Sequence, residues 1–151
     1  MPVYQCYSPK GLLTQSVKAT IAQEITAVHC NATAAPELFV NVVFHDISED
    51  DCFVAGQLST HSYVFGSIRH GRDLEIRQGM LRDLSQMWTR LTGQSEAEVL
   101  VSLKEIDSQN VMEGGLILPE PGNEQQWFDQ NRERLGELGF IPEQHANDTP
   151  N

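Results

Sequence analysis

Basic residues are scarce: 10 Lys and Arg stand against 21 Asp and Glu in 151 residues, a formal charge of −11 with histidine neutral. That balance argues against a nucleic-acid partner, because a polyanion is held chiefly by neutralising its phosphates. Long apolar runs are missing as well. Leu38-Phe39-Val40 and Leu116-Ile117-Leu118 are typical, whereas a spanning helix needs ~20 apolar residues, so no membrane partner is expected. The opening Met1-Pro2-Val3-Tyr4 has no basic stretch leading into an apolar core, so no secretory signal is read and a cytoplasmic location is expected. Cys6, Cys30 and Cys52 are odd in number and lack Cys-x-x-Cys spacing. They read as reduced, mostly buried thiols. His45, His61, His70 and His145 share no metal-ligand register, so no metal is expected.

What is present is a plan used twice. The hydrophobic fraction is 40% and the charged fraction 21%, ordinary for a globular chain of single-domain size. Val3 to Tyr7 reads as a strand, Ser8-Pro9-Lys10-Gly11 as a turn, and Thr14 as the N-cap of a helix with Val17, Ile21, Ile25 and Val28 on one face. After Pro36, Leu38 to Phe44 reads as a strand buried on both faces. The order then returns: strand from Tyr63 to Ile68, turn Arg69-His70-Gly71-Arg72, N-cap Asp73, stripe Ile76, Met80, Leu84 and Met87, strand Val99 to Leu103. A shift of 59 superposes the two stripes and caps, and the strand starts differ by 60.

Two β-α-β units (about 2–48 and 62–107) predict an α/β fold with a four-stranded sheet and two helices on one face. Residues 48–61 read as turns with a short strand. A C-terminal hairpin and a helix from about Glu124 to Leu138, docking through Trp127, Phe128, Leu135 and Leu138, complete a single domain over 1–142. A flexible tail is expected over 143–151.

Few residues invite chemistry. Pro2 becomes a terminal secondary amine if Met1 is removed, and α-amino groups titrate near ~7.7–8, within reach of general acid-base work. The alternative is a proline that merely begins an edge strand. Arg69 and Arg72, between a strand end and a helix N-cap, are placed to converge on a small anion; equally, they are surface arginines neutralising Asp73 and Glu75. His29 lies beside the apolar stripe near a helix end, where a histidine also suits the helix dipole. Glu113, in Met-Glu-Gly-Gly, is either a solvated turn residue or a carboxylate projected into a cleft.

Together the proline start, Ala27-Val28-His29, Arg69-His70-Gly71-Arg72, and Met112-Glu113-Gly114-Gly115 followed by Leu118-Pro119-Glu120-Pro121-Gly122 resemble the tautomerase superfamily, specifically its cis-3-chloroacrylic acid dehalogenase-like branch. The resemblance runs from Pro2 to Phe128. It implies a tautomerase-like homotrimer, with Pro2 as acid-base group, Arg69 and Arg72 as carboxylate clamp, His29 as a further carboxylate contact and Glu113 as water-activating group. No cofactor is implied. Two positions depart from the pattern: Ser102 stands where the dehalogenases carry a tyrosine assisting the glutamate, and Gly114 where an aromatic is usual.

The implied activity is keto-enol tautomerisation of small 2-keto or enol carboxylates of phenylpyruvate type, with weak cis-3-chloroacrylate dehalogenase or hydratase activity. Two alternatives remain: a chain that is primarily a haloacrylate dehalogenase or hydratase, and a trimeric interaction protein without turnover.

Overall fold

Alternation in the first strand sets the architecture. In β1 (Val3–Pro9) every second residue, Tyr4, Cys6 and Ser8, is buried, while those between are half-exposed, the signature of a strand with one face on a core. The computed structural model describes residues 2–140; Met1, His145 and the 143–151 tail lie outside the described residues. The described residues fall into two units, up to Asp107 and from Ser108 onward.

In the first unit, α1 (Gln15–Thr33), β2 (Asn41–Ile47), β3 (Phe53–Val54), β4 (Gln57–Leu58), β5 (Ser62–Arg69), α2 (Leu74–Thr92) and β6 (Val99–Ile106) follow β1. The main sheet has the order β2-β1-β5-β6. Both outer pairs are parallel and the central β1–β5 pair antiparallel, as two β-α-β units joined side by side require. The β3–β4 hairpin fills the connection between them. Tyr4, Cys6, Val64 and Ile68 from the sheet pack with Ile21, Ile25, Met80, Leu84, Met87 and Trp88 from the helices.

The duplication extends to individual hydrogen bonds. Thr33 Oγ1 donates to His29 O and Thr92 Oγ1 to Trp88 O, each at 2.8 Å. Ala34 (φ 57°) and Gly93 (φ 77°) end the two helices in the left-handed conformation. All three residue equivalences obey the 59-residue shift.

Three local expectations change. Residues 37–39 form a 3-10 turn rather than the start of a strand, so β2 begins at Asn41. That strand is an edge with Val43 43% exposed, not one buried on both faces; Val42 and Phe44 pack against the core while Val43 faces the other way. Asp73 takes the N-cap position of α2 without a side-chain cap bond, whereas Thr14 Oγ1 does accept from Val17 N at 3.2 Å.

The second unit holds a hairpin of β7 (Met112–Glu113) and β8 (Leu116–Ile117), turned by Gly114 (φ 61°) and Gly115 (φ 82°), a two-residue turn that needs positive φ at both positions. The single helix expected after it is divided into α3 (Glu124–Gln130) and α4 (Arg132–Glu137). Asn131 interrupts it with φ −111°, its side chain bonding back to Trp127 O at 2.8 Å. Trp127 Nε1 donates to Ile117 O at 2.8 Å and Leu135 is buried, while Trp127, Phe128 and Leu138 keep partial exposure.

Candidate active site

Pro2 is buried at the head of β1, its carbonyl accepting from Asn41 N at 3.0 Å. The antiparallel register pairs Val3 with Ser67 and Tyr4 with Gly66. Continued by one residue, it sets Pro2 opposite Ile68, with Arg69 the next residue along β5. Pro2 and Tyr4, two residues apart, share the helix side of the sheet.

On that side stands α1. Its buried residues are Ile21, Ile25, His29 and Thr33, a strict four-residue ridge. His29 therefore occupies the core ridge itself, a place the sequence reading gave to Val28, which is only half-buried. The Tyr4 hydroxyl and His29 Nδ1 lie 2.9 Å apart, with the rings edge to face at 5.8 Å between centroids. Burial, reinforced by the nearby Arg72 guanidinium, holds the His29 pKa down at about 4. The imidazole is thus neutral at ordinary pH, and the Arg72 charge is felt at the ring.

Arg69 ends β5, and Arg72 lies in the turn to α2. That turn is tied at its base by Glu105 on β6, which accepts from Gly71 N at 3.2 Å and pairs with Arg77 of α2 at 2.9 Å. His70 N donates to Ile106 O at 2.9 Å. A turn fastened at three points holds both arginines at one end of the sheet.

The remaining candidates stand apart from this group. Ser102 pairs with Phe65 across β5 and β6 and is exposed on the sheet face away from the helices. That face also carries Tyr7 stacked on His45 at 4.4 Å, together with Tyr63, Phe65, Val43 and Leu100. Glu113 belongs to the second unit, half-buried on β7. The aromatic expected at Gly114 has no room: a β-carbon there would meet Leu138 Cδ1 at 2.5 Å, and φ is positive.

The sequence reading missed Tyr4 and Glu105. Tyr4 had a legible signal, a hydroxyl-bearing ring two residues after Pro2 on the apolar side of an alternating strand. Glu105 had none, since its partners are distant in sequence. The three cysteines are free, with Cys6 and Cys52 buried. Among the described residues no helix is long and apolar enough to cross a membrane.

Comparison with known proteins bears on the family and the fold. Residues 1–132 match the family model described as "Putative oxalocrotonate tautomerase enzyme". A solved structure of N1, a member of the cis-3-chloroacrylic acid dehalogenase family, is 29% identical, with 92% of this chain and 99% of that one covered at a TM-score of 0.84. Native Ps01740 is 32% identical over 74% of this chain and 99% of its own, TM-score 0.72. Pt0534, solved after inactivation by 2-oxo-3-pentynoate, is 25% identical over 76% of this chain and 95% of its own, TM-score 0.70. No curated protein matches the chain.

Proposed function

The chain belongs to the tautomerase superfamily, and on that premise we propose that it is a cofactor-independent tautomerase of small 2-keto and enol carboxylates, acting through the nitrogen of Pro2 once Met1 is removed. One observation carries the reading. Pro2 is buried on the same side of β1 as Tyr4, whose hydroxyl meets His29, and Arg72 bears electrostatically on that same imidazole.

Arg69 and Arg72 supply the positive charge for a substrate carboxylate, and His29 adds a contact to it. Neutral Pro2 takes the proton from the enol hydroxyl and returns it to the β-carbon, so one O–H bond breaks, one C–H bond forms, and no other reactant is consumed. Hydration or dehalogenation of a cis-3-haloacrylate reuses the clamp but needs Glu113 to direct a water. With Ser102 in the place of a phenol this activity is the weaker one. The aromatic open face of the sheet suits burial against further copies in a homotrimer, and a cytoplasmic location fits the reduced thiols.

The test joins an intact mass, which shows whether the chain starts at Pro2, to turnover of a phenylpyruvate-type enol by wild type and Pro2→Ala. The alanine variant keeps an amine but exchanges a rigid secondary one for a flexible primary one, so both basicity and aim change, and a loss in kcat/KM within the ~10²- to 10⁴-fold that general-base removal costs is expected. A chain that starts at Pro2 yet turns over no enol carboxylate supports the non-enzymatic interaction protein instead.

A further inference from the structure

We propose that Tyr4 is a positioning residue: its buried hydroxyl donates to Nδ1 of His29, leaves the ring's one proton on Nε2, and so makes His29 a neutral hydrogen-bond donor to an oxygen of the bound carboxylate. The inference deepens the reading of the site given above, since the role of the Nε2 proton rests on that site binding an anion. The direction of the hydrogen bond does not.

The argument is one of donor supply. Tyr4 is 0% exposed and His29 4%, so the contact between them is out of bulk water. The Tyr4–His29 contact at 2.9 Å admits two arrangements. If Nδ1 carried the proton, it would donate to the phenol oxygen and the phenol O–H would be left buried without an acceptor at that contact. An unmade buried hydrogen bond costs about 1–3 kcal/mol. If the phenol donates, the hydroxyl and Nδ1 are both satisfied at this contact, because a neutral imidazole has one accepting nitrogen, and the ring's donor is left on Nε2 for a ligand. Burial keeps the Tyr4 phenol protonated well above its usual range, with the nearby Cys30 acting in the same sense. Its proton is therefore always available to give.

The surroundings reserve this place for a tyrosine ring. A β-carbon on Gly66, the cross-strand partner of Tyr4, would lie 2.6 Å from Tyr4 Cε1. Thr33 Oγ1 grips His29 O from the following turn. The phenol and imidazole are thus held by glycine on one side and by the helix on the other.

A donor at Nε2 matters for selectivity. The neutral ring adds no charge to the clamp, so the arginines neutralise the carboxylate while His29 contributes direction. An acceptor at that nitrogen would repel the same oxygen.

Nitrogen-15 NMR of the imidazoles in the ligand-free chain tests the assignment without reference to activity. The expected spectrum at neutral pH shows His29 with Nε2 protonated and Nδ1 bare. Tyr4→Phe keeps the ring and removes the donor. It should move the His29 titration upward, mix the tautomers, and raise KM for an enol carboxylate several-fold with a smaller change in kcat. His29→Gln, which retains an N–H near Nε2, should keep more activity than His29→Asn. A proton found on Nδ1 in wild type overturns the proposal. So does a Tyr4→Phe variant whose tautomer, titration and KM all equal those of wild type. Should the spectrum be as expected while no enol carboxylate is turned over, the hydrogen-bond direction stands and the proposed function falls.

Discussion

The Tyr4 ring lies over Gly66 so closely that no side chain fits between them: a β-carbon at residue 66 would stand 2.6 Å from Tyr4 Cε1 and equally far from Leu103 Cδ2. The ring cannot readily give way, for it is fully buried and anchored on His29.

Gly66→Ala is therefore expected to destabilise the fold by about 1–3 kcal/mol, the usual cost of overpacking, and to displace the Tyr4 hydroxyl from His29. Gly79 in α2 provides the contrast. It has open space where a β-carbon would go, so Gly79→Ala should stabilise by about 0.5–1 kcal/mol through helix propensity. Urea midpoints of the two variants should shift in opposite directions.

Arg72→Ala and Arg69→Ala are expected to raise KM for a carboxylate substrate about tenfold or more each, the worth of a charge-assisted contact of ~1.5–3 kcal/mol. An enol ester, lacking the anion, should lose much less. Arg72→Ala alone should also relieve the depression of the His29 titration, since the guanidinium is one of its causes. Equal losses on charged and uncharged substrates would make both arginines structural.

The pH dependence of stability has a defined sign. Folding lowers the His29 pKa from its ordinary 6.5 to about 4, so between those values only the unfolded chain binds the proton. Stability should fall as pH drops through that window, by about 3 kcal/mol at most, and be indifferent to this group above it. Denaturant titrations at about pH 7 and about pH 4.5 measure the slope. His29→Gln, which cannot titrate, should flatten it relative to wild type.

Ser102→Tyr should raise cis-3-haloacrylate hydration relative to enol tautomerisation. On the proposed mechanism a phenol at this position on β6 adds a hydrogen-bonding group for the attacking water, worth roughly 1.5–3 kcal/mol or about tenfold or more in rate. The proton shuttle on Pro2 gains nothing from it. The ratio of the two activities cancels differences in folded fraction. A flat ratio, with the tyrosine seen to point into the pocket, would show that the serine is not what limits hydration.

Much of the fold was legible because it is written twice. A shift of 59 aligns caps and ridges and one of 60 the strand starts, and such periodicity survives any single ambiguous residue. The edge character of β2 was hidden, since Asn41-Val42-Val43-Phe44 is as β-branched as a central strand and only pairing reveals its exposed side. The break at Asn131 was hidden too, because the apolar spacing of Trp127, Leu135 and Leu138 continues through it. At the site, residue types and turns could be read from sequence. The partnership of Tyr4 with His29 could not, for it joins a strand to a helix 25 residues later.

The duplication also bears on stoichiometry. Under the same shifts that align the halves, Pro2 falls on Ser62 and His29 on Trp88. In the second half these are committed elsewhere: Ser62 Oγ and Trp88 Nε1 both donate to Gln94 Oε1, at 2.7 and 2.9 Å. Ser62 is mid-chain and offers no amine, and the indole occupies the ridge position that the imidazole takes in the first half. The second half is a plugged counterpart of the first. An affinity label directed at an amine base should accordingly saturate at one equivalent per chain, three for a trimer, although the backbone contains the same framework twice as often.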